Sequence, residues 1–98
     1  MASIRRLKKD IQFFTAEGIS DCVNLIESQD NDKDEQILEI IREIASHHNK
    51  IMERINHPDG KDNSKMVKQF FKQLKADFIH GLDQSYKKME ELFKQQEK

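Results

Sequence analysis

Between Ile37 and Ile55 the chain repeats isoleucine at an interval that admits one backbone geometry. Ile37, Ile41, Ile44, His48, Ile51 and Ile55 follow one another in strictly alternating steps of four and three, which returns each side chain to one face of an α-helix. A strand would need alternation in twos. Isoleucine is stiff at χ1 and slightly disfavours an isolated helix, so a seam of this kind is stable only when buried against other elements. Leu38, Ile40 and Met52 flank it. Asp32 and Glu35 stand at capping-box spacing before it, and His57-Pro58-Asp59-Gly60 is a turn signature after it. The spacing predicts a helix over about 33–57.

Two further segments carry the same period. In the first, Ile4, Leu7, Ile11, Phe14, Cys22 and Leu25 form a stripe with Gly18 in register, widened by Ile19, Val23 and Ile26. It predicts a helix over about 3–28, ended by the turn formers Gln29-Asp30-Asn31-Asp32. In the third, Val67, Phe70, Phe71, Leu74, Phe78, Leu82, Met89, Leu92 and Phe93 form the stripe, and Gly81 and Ser85 fall on it. This helix is expected to begin near Asn63 or Ser64 and to run over about 64–95. Three glycines and one proline in 98 residues leave almost no hairpin signal. Equal hydrophobic and charged fractions of 36% suit helices with one apolar stripe and a solvated remainder.

Short connections make consecutive helices antiparallel neighbours. The expected fold is therefore all-α: one domain over 1–98, an antiparallel up-down-up three-helix bundle with the third helix longest. Counting away from each turn gives layers of Leu25 with Ile37 and Ser85, Cys22 with Ile40 and Gly81, Gly18 with Ile44 and Phe78, and Phe14 with His48 and Leu74. Glycine costs a helix about 1 kcal/mol against alanine, so its place on a stripe implies close approach of a bulky neighbour.

Several function classes find no support. A net charge of −1 provides no field to steer nucleic acid or an anionic membrane, and no apolar run reaches the ~18 residues of a membrane span. Met1 to Asp10 lacks the apolar centre of a secretion signal. With a single cysteine, Cys22, a reducing cytoplasm is the expected setting. Cys22 lies on an apolar stripe, where a thiol behaves as a small hydrophobe rather than a nucleophile. Arg5, Arg6, Lys8 and Lys9 cluster without interleaved aromatics and read as a solvated face. Asp30, Asp32 and Asp34 alternate like the start of a calcium loop, but Glu35 and Ile41 occupy the positions that need glycine and a bidentate glutamate. No catalytic residue, cofactor or small-molecule substrate is inferred.

Two readings remain. His48 sits mid-seam, where burial would keep its imidazole neutral, and Glu43 and His47, one turn apart, stand across from Asp77 as a candidate metal set. This is the alternative reading, a metal-binding or pH-responsive bundle, against the plainer one of a hydrogen-bonded core histidine. The leading reading rests on length. With two helices of about 25 residues, the last ten residues of the third would project, leaving Met89, Leu92 and Phe93 uncovered. Phe13 lies off its stripe and adds an exposed aromatic. These four residues are the candidate contact set of a non-enzymatic interaction module that self-associates or docks a helical protein partner.

The opening Ile4-Arg5-Arg6-Leu7-Lys8-Lys9-Asp10-Ile11, followed by long helices, resembles the start of a group of small bacterial all-helical proteins of no assigned function. That resemblance implies an all-helical fold and a bacterial cytoplasmic setting, and no active residue.

Overall fold

Each periodic segment forms one α-helix. The computed structural model describes residues 2–28, 33–58 and 63–96, and among them the elements are α1 (Ala2–Ser28), α2 (Asp34–Asn56) and α3 (Ser64–Gln96), with no strand. α3 begins where the side chain of Asn63 accepts the backbone N–H groups of Lys65 (3.0 Å) and Met66 (3.3 Å), satisfying two of the free donors of its first turn. α2 is capped differently from expectation. Asp32 of the anticipated capping box lies outside the described residues, and the residue at the cap is Lys33, whose side chain makes no capping bond. Asp34 and Glu35 in the first turn and Arg54 in the last still complement the helix dipole.

α2 packs along both α1 and α3, whereas α1 and α3 meet much less closely. The result is an all-α, up-down-up three-helix bundle, 54 × 19 × 16 Å. Ile11, Ile51, Ile55, Leu74 and Phe78 fill one end of the core. Cys22, Ile37, Ile40, Ile44 and Met89 fill the other, and Leu82 packs against both groups. Five buried isoleucines come from α2 alone; at ~1.5–3 kcal/mol for each fully buried side chain, the middle helix contributes much of the hydrophobic stabilisation.

The register between α1 and α2 is the expected one: Ile44 packs against Gly18, at 3.5 Å from where a Cβ would stand. α3 is displaced by one to two turns from the anticipated layers. Leu82, not Phe78, is the third member of the Gly18 layer, and Met89, not Gly81, meets Cys22. Pairings of Asp21 with Tyr86 and Cys22 with Met89 place each α1 residue level with the α3 residue some 65 positions later. On that count the last turn of α1 reaches the level of Leu92. The surplus length of α3 therefore lies at its start, past the end of α2, and not at its C-terminus.

Two neighbouring pairs of residues exchange their expected places. Phe14 was expected in the core, yet it is 49% exposed and Thr15 is buried in its stead. The buried line of α1 runs Ile11, Thr15, Gly18, Cys22, turned towards the closer neighbour, α2, and away from α3. On α2, His47 rather than His48 faces α3. Its ring lies parallel to that of Phe78 at 5.9 Å, and its Nε2 is 3.2 Å from the Phe78 carbonyl oxygen. A Cβ at Gly81 would overlap this imidazole, so the glycine is what lets the ring lie against α3. His48, on the other flank, is half-buried, with Nδ1 3.3 Å from Asn49 Oδ1.

Candidate interaction surface

Glu43, His47 and Asp77 are not gathered as a ligand set. Glu43 accepts from Lys88 at 2.7 Å. His47 is held at the Phe78 carbonyl. Asp77 accepts from Gln73 (2.8 Å) and Arg54 (2.9 Å), and these bonds, Gln73 first, hold its carboxyl below the usual carboxylate range. Arg54 also lies over the Phe70 ring, 5.8 Å from its centroid. Each group thus serves the α2–α3 contact, and among the described residues no cluster of three histidine, cysteine or acidic side chains is suited to a metal ion. Cys22 is wholly buried, its thiol donating to the Met89 sulfur at 3.3 Å. Burial, with Asp21 adding to it, pushes the thiol up to about 11, away from the thiolate form that nucleophilic chemistry needs.

The residues expected to form the contact set divide. Phe13 is exposed (58%), as its place off the stripe requires. Met89 is buried in the core beside Cys22, and Leu92 is half-buried against the same group. The expected projection of these two fails because α1 runs alongside α3 far enough to cover them. Phe93, the fourth, has its side chain outside the described residues.

Exposed apolar surface is found elsewhere, along the parted flanks of α1 and α3. Tyr86 donates its hydroxyl to Asp21 at 2.6 Å, bridging the two helices. Burial and this bond to a carboxylate push the phenol up to about 12. Two helical turns before these residues stand Phe14 on α1 and Ile79 on α3. They occupy the same two faces at the same level. Phe14 is 49% and Ile79 64% exposed, with Tyr86 at 36%. Phe13 meets Phe14 edge to face at 5.3 Å and extends the aromatic surface outward. Asp10 and Glu17, each one turn from Phe14, line the α1 flank with Asp21; Lys68, Lys72 and Lys75 line the α3 flank before Ile79. All of these are exposed except Asp21, which is half-buried.

The sequence signal for this surface was Ile79, a large apolar residue off the α3 stripe. Phe14 gave no such signal, because it lies on the α1 stripe. Other concave places are shallow and mixed in charge, such as the trough of Arg54, His57, Met66, Gln69, Phe70 and Gln73. Among the described residues no helix is long and apolar enough to cross a membrane. Comparisons with protein-family models, curated proteins and solved structures returned no match.

Proposed function

We propose that this chain is a non-enzymatic interaction module that docks a protein through the parted flanks of α1 and α3. One observation carries the reading: Phe14, Ile79 and Tyr86 form an apolar strip with charged side chains on both margins. Apolar centre and polar rim is the anatomy of a protein interface, and adjoining aromatics are the residue types that anchor one. Isolated exposed hydrophobes are ordinary on any surface; here Phe14 and Ile79 stand at one level of one seam, and Tyr86 follows two turns along it. The C-terminal helix remains the principal docking element, with Ile79 and Tyr86 in place of the tail. The unpaired Cys22 supports a cytoplasmic setting, which the resemblance of the opening residues would make bacterial.

The test is site-specific crosslinking in cells that produce the protein. A photoreactive residue at position 79 should give a discrete protein adduct, while the same residue at position 53, on the far side of α2, should give none. No adduct at 79, or equal adducts at both positions, would remove the reading.

A further inference from the structure

We infer that the end of the bundle holding the start of α1, the close of α2 and the start of α3 binds single-stranded nucleic acid through its phosphates, with bases stacked on Phe13. The inference goes beyond the docking strip and is carried by how the fold distributes charge. Net charge is −1, but the sum conceals two opposed ends. Up-down-up topology gathers 2–13, 49–58 and 63–78 at one end, where the sequence has ten lysines and arginines against three carboxylates. The rest of the described chain, 14–28, 33–48 and 79–96, has five against ten. A near-neutral total is thus compatible with a local field that attracts a polyanion to one end.

Most of these cations have no anionic partner in the fold. Arg54 is bound by Asp77, and Lys8 donates to Asn56. Arg6 and Lys9 on α1, and Lys65, Lys68, Lys72 and Lys75 on α3, are exposed and make no ion pair among the described residues. The four lysines follow one another in steps of three, four and three, which sets them along one face of α3 over about 15 Å. That face borders α1. By the pairings of Asp21 with Tyr86 and Gly18 with Leu82, Arg6 stands level with the turn of α3 that carries Lys72. A row of ammonium groups beside a guanidinium suits a phosphodiester strand, which carries its charges along a line. Asp10 is the one carboxylate on these two faces at this end.

The aromatic component comes from α1. Arg6, Lys9 and Phe13 are spaced by three and four, so Phe13 continues the cationic face to the border of the acidic half. Its ring is 58% exposed and meets Phe14 edge to face at 5.3 Å. A cationic row leading to an exposed ring is the arrangement on which unpaired bases stack, whereas the bases of a duplex are already stacked on one another. An anionic membrane fits less well. Laying the rod on its aromatic face would bring Glu17, Asp21 and Asp83 against the lipid charges, and standing it on its basic end would lift Phe13 clear of the surface.

The experiment is fluorescence anisotropy of a labelled mixed-sequence oligonucleotide of about 15 nucleotides, titrated with the full chain from about 50 mM salt upwards, with single-stranded DNA and RNA as separate arms. Binding of either is expected, its logarithm falling linearly with the logarithm of salt concentration. Lys72→Gln and Lys75→Gln should each weaken binding and reduce that slope by about 0.7, the value for one phosphate of a single strand. Phe13→Ala should weaken binding about fivefold or more and leave the slope unchanged. Lys87→Gln in the acidic half and Ile79→Ser in the docking strip should change neither. Helical circular dichroism should be that of the wild type throughout, since every substituted side chain is exposed. No binding of either oligonucleotide would overturn the inference, as would equal or tighter binding of a duplex of the same length. It would fall equally if Lys87→Gln weakened binding as much as Lys72→Gln, or if Phe13→Ala left affinity unchanged. Vesicles rich in phosphatidylserine that bound the chain in preference to the oligonucleotides would refute it in favour of a lipid surface.

Discussion

Gly81 and Gly18 both occupy buried or half-buried helical positions, and alanine at the two should have opposite effects. In a helix interior the exchange is favourable by about 1 kcal/mol from propensity alone. At Gly18 the new methyl would stand 3.3 Å from Leu82 Cδ1 and 3.5 Å from Ile44 Cδ1, close enough that Leu82 must yield slightly. Gly18→Ala should therefore be neutral or stabilising by up to about 1 kcal/mol. At Gly81 the methyl would overlap the His47 ring. The ring must swing away, forfeiting its contact with the Phe78 carbonyl, worth about 1 kcal/mol, and its stack on the Phe78 ring, worth ~0.5–1.5 kcal/mol. Against the propensity gain, the net is a loss of about 1 kcal/mol. Thermal unfolding followed by circular dichroism would register it as a fall of ~4–8 °C. The double variant His47→Ala/Gly81→Ala tests the cause. With the ring gone, the Gly81 substitution should stabilise the His47→Ala background by about 1 kcal/mol, a change of sign that only direct contact explains. If Gly81→Ala stabilises the wild-type chain as Gly18→Ala does, the account of Gly81 as the seat of His47 is refuted.

Three further outcomes follow from the same contacts. The neutral Cys22 thiol is favoured by folding, so its contribution is whole well below the ordinary thiol value of 9.0 and is lost as pH rises through about 11; wild type should lose about 2 kcal/mol between those two values relative to Cys22→Ala, and parallel pH–stability curves would contradict this. Asn63→Ala should cost about 1 kcal/mol in urea unfolding by removing the cap of α3, and no change would mean the cap bonds contribute nothing in solution. Phe14→Ser should cost under ~1 kcal/mol, against ~2–5 kcal/mol for Ile11→Ala; equal losses would return Phe14 to the core.

The fold was legible because helical period and turn chemistry are local properties. Alternating steps from Ile37 to Ile55 located α2, and its boundaries fell within a residue of expectation, as did those of α1 and α3. Asn63 as the start of α3 and the close approaches at both glycines were legible for the same reason. The level of α3 was not. Counting from the turn assumed that α3 starts level with the end of α2, but its first turns run past that end. That offset of one to two turns moved Met89 and Leu92 from an expected overhang into contact with the core, and removed the surface the sequence had suggested.

The remaining differences share a cause. Phe14 and Thr15, and likewise His47 and His48, straddle the buried line of their helix, and periodicity alone does not say which of two adjacent residues faces which neighbour. The choice is made by how closely the other two helices approach. α2 lies close to both partners, so α1 turns Thr15 rather than Phe14 towards the core, and α2 sends His47 into the gap that Gly81 leaves on α3. This inequality between the three helix contacts also parts α1 from α3 and leaves Phe14 and Ile79 uncovered. The buried Thr15 hydroxyl, which has no hydrogen-bond partner among the described residues, and the exposed Phe14 beside it are then two consequences of one rotation of α1. A closed bundle would have reversed both, burying an apolar ring and returning a polar group to solvent. The uncovered strip thus coincides with a rotation that is unfavourable for the isolated chain at Phe14 and Thr15, and a partner that covered Phe14 would offset part of that loss.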